Sequence, residues 1–439
     1  MKRIAIRITF FLVFCSVLAA EPVEPPASLT LEEALDAALK NNADLQKSRL
    51  TAHQSLREKN NGWNKFLPSV SASLGITNTQ PMQPAGDPTN SWSAGGSISL
   101  QLSAAIPGDI KLLAYKALAA EEAYDNTRRT LVTEVSTSFY SLLAENMNLE
   151  ILQNDRDLKK QQYEQTNKNY QSGLVSELEM LNAMYAYQIA GPALNDAAVK
   201  YEQSRAAFLL LIGLDTGAVE FAGLIDVKLL DLPPVGELIA RYRDNRYDVR
   251  AQVLVLEQAK LNAQIGSVNR APSITFSESL SLGPSQNAEF FDDPVSSGKF
   301  SLSVSIPISS WIPCSPQSLS VKTLKENAVQ TESSLDTVRK NAAQDIQKKA
   351  DEIERIRENL ESAALNLRIT SRAYELSEQG YRGGLVSQTD LQNANKNMVS
   401  AKQTLLNTNT SYLAAVYNLA AALGLDIAEV YTLYAEGSI

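Results

Sequence analysis

An internal duplication constrains this chain more than any other feature. Tyr170-Gln-Ser-Gly173-Leu-Val-Ser176 reappears as Tyr381-Arg-Gly-Gly384-Leu-Val-Ser387, an offset of 211 residues (384 − 173). The register then holds without a gap, carrying Asn182-Ala183 onto Asn393-Ala394, Tyr201 onto Tyr412 and Gly213-Leu214-Asp215 onto Gly424-Leu425-Asp426. Upstream the echo is fainter, with Asn41, Asp44, Gln54 and Pro68-Ser69 recurring as Asn245, Asp248, Gln258 and Pro272-Ser273, an offset of 204 (272 − 68). Halves of this size are too long for a solenoid unit, so one ancestral segment was doubled. The organisation expected is a first repeat over 21–230, a second over 231–426 and a C-terminal tail over 427–439.

Residues 1–20 read as a signal peptide. Lys2, Arg3 and Arg7 form a basic start, Ile8 to Leu18 an apolar core, and a small-residue cleavage site precedes Glu21. The bulky Phe14 before Cys15 argues against lipid attachment there. Losing three basic residues takes the net charge from −9 to −12 (−9 − 3), which makes nucleic acid a poor partner. With one histidine, His53, and two cysteines, Cys15 and Cys314, the chain lacks the means for a zinc site, a disulfide framework or thiol catalysis. No metal site, cofactor or catalytic residue is expected.

Each half reads as helix, two strands, very long helix, turn, helix. The first helix opens at Thr30 with Glu33 three residues on, a capping box, and its pattern runs to about Asn64. The long helices are expected over about Asp109–Tyr170 and Gln317–Tyr381; sixty residues at ~1.5 Å each reach ~90 Å, beyond any single globular core. Along the second, Ile346, Ile353, Leu360 and Leu367 recur every seven residues, with Ala342, Ile356 and Ala363 in the other seam position.

The strands are more diagnostic. Spans at about 68–78, 92–104, 272–282 and 299–308 alternate apolar residues with serines: Val70, Ala72, Leu74 and Ile76, then Ile98, Leu100 and Leu102, in the first half. Ile274, Phe276, Leu280 and Leu282, broken by Glu278, and then Phe300, Leu302, Val304 and Ile306 follow in the second. Strands of ~9–11 residues with one apolar and one small-polar face suit a transmembrane β-barrel, and Trp63, Phe66, Trp92 and Trp311 flank them as an aromatic girdle would. Four strands cannot close a barrel, and an open edge in lipid costs several kcal/mol per backbone group, so the barrel must be shared between chains. Two chains give eight strands and a filled interior; three give twelve and a lumen, which the serine faces favour.

The opening Leu29-Thr-Leu-Glu-Glu-Ala-Leu35, the duplicated Tyr-x-x-Gly-Leu-Val-Ser turn and the paired Gly-Leu-Asp helix ends together resemble the TolC-like outer-membrane efflux protein family. The resemblance spans essentially the whole chain after the leader. It implies a mainly α fold with a β-barrel part: a long coiled-coil α-helical barrel in the periplasm below a transmembrane β-barrel shared by three chains, four strands each. It implies a homotrimer set in outer-membrane lipid and serving as the exit duct of a tripartite efflux pump or type I secretion system. A periplasmic adaptor (membrane fusion) protein and an inner-membrane transporter are the implied partners.

By the same resemblance, the turns at Gly173, Leu174, Val175 and Ser176 and at Gly384, Leu385, Val386 and Ser387 form the surface where the adaptor docks. Six residues after each glycine stands a carboxylate, Glu179 and Asp390, which threefold repetition would turn into rings at the pore mouth. Relatives often carry another aspartate where this chain has Asn393, so the ring here holds less charge. Tyr170 and Tyr381 match positions whose hydrogen bonds hold the entrance shut. A well-made helix hairpin with solvated charges would explain the same residues without function. The competing reading is a periplasmic coiled-coil adaptor or scaffold, but adaptors carry a single hairpin without duplicated strand pairs. An enzyme has no nucleophile–base pairing to support it.

Overall fold

A computed structural model describes residues 28–80, 89–214, 219–284 and 294–435. The leader with Cys15, and the loop residues between strands (81–88 and 285–293), lie outside the described residues. In chain order the elements are β1 (Ser28–Leu29), α1 (Leu31–Asn41), α2 (Ala43–Asn60), β2 (Ser69–Thr79), β3 (Thr89–Leu102), α3 (Ile106–Gln171), α4 (Glu177–Ile212) and β4 (Glu220–Phe221). The second half repeats them as α5 (Val235–Tyr242), α6 (Tyr247–Val268), β5 (Ser273–Pro284), β6 (Pro294–Ser305), α7 (Pro316–Arg382) and α8 (Gln388–Leu423), and closes with α9 (Ile427–Tyr434).

The capping box forms as read, with Glu33 carboxylate oxygen accepting from Thr30 N–H at 2.9 Å. The helix expected to run on to Asn64 is instead broken at Asn42, where the backbone turns extended (φ −61°, ψ 125°). Asn42 Oδ1 accepts from Leu45 N–H at 3.0 Å and so starts α2, while its Nδ2 donates to Leu211 carbonyl at 3.0 Å. The second repeat breaks at the matching position, Arg246 (φ −63°, ψ 144°), between α5 and α6. The breaks serve a purpose. Gly213 and Gly424, both left-handed at φ +71° and +70°, end α4 and α8 by lying against Asn41 and Asn245. A Cβ on Gly213 would sit 2.7 Å from Asn41 Cβ, so only glycine closes this contact.

The two long helices hold 66 and 67 residues, about 100 Å each at ~1.5 Å per residue. They start slightly earlier than the pattern indicated because Pro107 and Pro316 sit in the first turn, where a missing N–H costs nothing. Near their midpoints each repeat gathers a core. In the first, Phe139, Phe208 and Phe221 meet with ring centroids 5.5–6.0 Å apart, over Leu29, Val135 and Ile212. In the second, Tyr412 packs among Ile346, Ile353, Leu419 and Leu423, and its hydroxyl accepts from Leu230 N–H at 2.8 Å. Each buried side chain of this size stabilises by roughly 1.5–3 kcal/mol. Along α7 the seam residues Ala342, Ile346, Ile353, Ile356 and Ala363 are buried, with Leu360 and Leu367 half-buried. Past residue 426 the chain forms α9 and joins this core: Val430 is fully buried and Tyr434 hydroxyl lies 3.0 Å from that of Tyr242.

The four long strands make one antiparallel sheet in the order β2-β3-β5-β6, so the repeats meet at β3–β5. The second strand of the second hairpin stops at Ser305, short of the expected 308, because Pro307 has no N–H for a ladder and a 3₁₀ turn (Ile308–Trp311) follows. The register stacks apolar residues in rows across the sheet: Leu102–Ile274–Val304, Leu100–Phe276–Leu302, Val70–Ile98–Glu278–Phe300 and Ala72–Gly96–Leu280–Gly298. The opposite face is a wall of hydroxyls, with Ser69–Ser99 and Ser71–Ser97 at 2.8 Å and Ser277–Ser301 and Ser281–Ser297 at 2.7 Å. Among the described residues no single helix is long and apolar enough to cross a membrane.

The helices pack as a second open layer. Toward the tips the neighbours run α4–α3–α8–α7, and toward the sheet α2–α3–α6–α7. The long helix α3 thus ties the repeats together at both levels. An ion pair from Arg250 to Glu122 (2.8 Å) and a bond from the Arg129 guanidinium to Gly424 carbonyl add polar ties between the halves.

Candidate functional site

At the end of the molecule away from the sheet, two hairpin turns repeat the same backbone. Gly173 and Gly384 take φ +73° and +74°, a region that other residues enter at a cost. Leu174 N–H donates to Asn169 carbonyl and Leu385 N–H to Gly380 carbonyl, both at 2.8 Å. Ser176 and Ser387 then start α4 and α8 from nearly equal dihedrals (φ −73°, ψ 156° and φ −72°, ψ 155°). Leu174 and Leu385 project 75% and 88% exposed from the turn apices, while Val175 and Val386 fold back half-buried.

The two carboxylates singled out by spacing fall on the third residue of each helix. Glu179 N–H donates to Ser176 Oγ at 3.3 Å and Asp390 N–H to Ser387 Oγ at 3.1 Å. Ser387 hydroxyl in turn donates to Asp390 Oδ2 at 2.7 Å. A negative charge at a helix start is favoured by the helix dipole, so local structure alone accommodates both. Asp390 and Asn393 are exposed and Glu179 is half-buried; among the described residues no hydrogen bond or ion pair joins Glu179 to Asp390.

Behind the turns, α3 of the first repeat and α8 of the second are linked by buried and half-buried polar rungs. Nearest the tip, Tyr381 hydroxyl donates to Gln388 Oε1 at 2.8 Å, and Thr166 Oγ1 lies 3.0 Å from the same oxygen. Above it, Asn395 Nδ2 donates to Asp155 Oδ1 at 2.7 Å, and Lys159 Nζ pairs with Asp155 Oδ2, also at 2.7 Å. Higher still, Gln403 Nε2 donates to Asn148 Oδ1 at 2.9 Å. Thr166, Gln388, Asp155 and Asn395 are all buried. A buried polar residue in a coiled-coil seam fixes register, since sliding the helices would leave its partner unpaired. On α7 close by, burial pushes the Tyr374 phenol up, with Glu378 adding to the shift.

Of the residues singled out in sequence, Tyr381 joins this ladder. Tyr170, its counterpart, is exposed, and its hydroxyl has no hydrogen bond among the described residues. Sequence reading missed Thr166, Gln388, Asp155, Lys159 and Asn395. One signal could have found part of them: Gln388, Leu391 and Asn395 follow a three-then-four spacing, a heptad seam with polar residues at one position.

Comparison with known proteins fits this architecture. The sequence profile of the outer membrane efflux protein family matches twice, over residues 34–214 and 238–425, once on each repeat. The outer membrane protein TolC of Salmonella enteritidis is 23% identical over 400 residues, covering 88% of this chain and 79% of its own. Among solved structures, the Campylobacter jejuni CmeC outer membrane channel superposes with a TM-score of 0.74 at 18% identity, over 91% of this chain and 88% of its own. CusC, solved in a study of folding and transmembrane channel formation, superposes with a TM-score of 0.73 at 17% identity, over 90% and 92%. This chain belongs to the outer membrane efflux protein family, the TolC-like channels that sit in the outer membrane and reach into the periplasm with a long helical part.

Proposed function

We propose that three copies of this chain assemble into the exit duct of a tripartite efflux pump or type I secretion system. The observation that carries this reading is that the molecule ends in open edges at every level. Among the described residues, the sheet leaves β2 and β6 unpaired on their outer sides, and the helical layer leaves α4 and α7 flanked by one long neighbour each near the tips. Both edge helices expose apolar stripes there: Leu178, Leu181, Tyr185 and Ile189 on α4, and Leu365, Ile369 and Leu376 on α7. The stripes match in height, since Leu181 follows Gly173 and Leu376 precedes Gly384 by the same eight residues (181 − 173 and 384 − 376). A head-to-tail contact of α4 and β2 on the α7 and β6 of the next copy closes into a ring. Three copies give twelve strands with the serine wall inward and the apolar rows toward lipid.

In that ring the tips close the periplasmic entrance. Glu179 and Asp390 stand at its mouth, with Asn393 beside them. Tyr381, through Gln388 and Thr166, latches α8 to α3, while Tyr170 borders the same mouth. The turns Gly173–Ser176 and Gly384–Ser387, with Leu174 and Leu385 at their apices, form the adaptor-docking surface. The inner-membrane transporter then sets what is moved.

A cysteine pair tests the ring. Leu181→Cys combined with Leu376→Cys, in a Cys314→Ser background, should give a disulfide-linked trimer on oxidation, and the purified protein should conduct in planar bilayers. A species that stays monomeric or dimeric and does not conduct overturns the duct.

A further inference from the structure

Each face of the sheet carries a single charged side chain among the described strand residues: Glu278 on the apolar face and Lys299 on the hydroxyl face. Lys299 is the more consequential. Its row across the sheet reads Ser71–Ser97–Ser279–Lys299, near mid-height of the serine wall. The adjacent rows place the hydrogen-bonded pairs Ser277–Ser301 and Ser281–Ser297 directly on either side of it. The rest of that face is serine, threonine, glycine and glutamine, with Val295 toward the loop end. Lys299 is exposed and makes no ion pair with any described residue. Among the described residues its ammonium has no counter-charge and stands in a field of neutral hydroxyls.

A lysine on an edge strand ordinarily blocks unwanted strand pairing. Here the side chain points to the hydroxyl face, and the edge itself is consumed when copies join. The inference rests on the duct proposed above. We propose that Lys299, repeated by the threefold axis, forms a cationic collar inside the β-barrel that concentrates anions. Carboxylates, phosphates and other anionic solutes would be the class it favours, held by ammonium charge with serine hydroxyls as neighbouring donors. Rings of basic side chains select anions in pores, and clefts lined by one sign of charge focus counter-ions. The collar would lie in series with the acidic tips, so the two ends of the duct would prefer opposite charges.

The test uses the full-length trimer in planar bilayers at low salt, where screening is weakest. Lys299→Gln should lower the chloride-to-potassium permeability ratio roughly sevenfold, since a potential of about one kT raises anions about threefold and lowers cations about threefold. Lys299→Arg should keep the wild-type ratio. Citrate added on the extracellular side should block wild-type current reversibly, less at high salt, and should block Lys299→Gln weakly. Conducting trimers in which Lys299→Gln leaves both ratio and citrate block unchanged overturn the collar and leave the duct standing. If Lys299→Gln fails to assemble, citrate block of the wild type that is absent or insensitive to salt overturns the collar by itself. A wild-type protein that never conducts overturns the duct and the collar with it.

Discussion

The two tip hairpins share a backbone to within a few degrees, yet one buries polar residues and the other exposes apolar ones. On α8 the positions facing α3 hold Gln388, Leu391 and Asn395, all buried; their counterparts on α4 are Glu177, Met180 and Met184, none of them buried. Where α4 exposes Leu178, Leu181, Tyr185 and Ile189, α8 carries Thr389, Gln392, Lys396 and Ser400. Position in the layer explains the contrast. Helix α8 lies between α7 and α3 and needs a register lock inside the chain, whereas α4 has α3 on one side and keeps an apolar stripe for what lies beyond it. Duplication copied the turn; divergence then gave α8 a buried polar lock within the chain and α4 an exposed apolar stripe.

Breaking the lock should have the largest effect. Asp155→Ala leaves Asn395 and Lys159 facing a void, and removing one partner of a buried pair costs about 3–5 kcal/mol. A lowered unfolding midpoint in detergent, with raised conductance from loosened tips, is expected. The matching change on the other hairpin, Met184→Ala, should leave the midpoint of the isolated protomer unchanged.

Next comes an exchange that gives α4 the residues of α8. Leu181→Gln with Tyr185→Lys removes two stripe anchors, each worth upward of about 1 kcal/mol at an interface. Native mass measurement should show the trimer dissociating, while circular dichroism of the protomer stays the same. An intact trimer would mean that α4 does not face the next copy.

A smaller asymmetry separates the tyrosines. Tyr381→Phe loses the bond to Gln388, about 0.5–1.5 kcal/mol, and should raise conductance without altering ion preference. Tyr170→Phe should change neither, since its hydroxyl has no partner among the described residues. Equal effects from the two would erase the distinction between the hairpins.

The smallest stability effect is expected at the mouth. Replacing Glu179 and Asp390 by Ala should cost only a few tenths of a kcal/mol at each helix start, mostly from lost interaction with the helix dipole. Cation preference measured at low salt should nevertheless fall, because six carboxylates would leave a narrow aqueous mouth. A double variant with wild-type preference would make both residues ordinary helix-start charges.

Much of this architecture is written in local pattern. The 211-residue repeat announced the twin tips, the Thr30–Glu33 spacing the first helix start, and the alternation from Val70 to Ile76 a strand with one apolar face. These readings succeed because turn chemistry, capping and two-residue or heptad periods act between near neighbours. Pattern alone could not tell that Asn42 breaks the first helix, because its Nδ2 partner, Leu211 carbonyl, lies 169 residues away. Nor could it pair Tyr381 with a ladder running from Thr166 to Asn395, or set Lys299 alone in a wall of serines. The reason is physical: a period says which face of an element is apolar, while the identity of the neighbour across that face depends on long-range packing. Tertiary structure decided that α8 lies inside the layer and α4 at its edge, and with that which of two equivalent hairpins buries a polar lock and which exposes an apolar stripe.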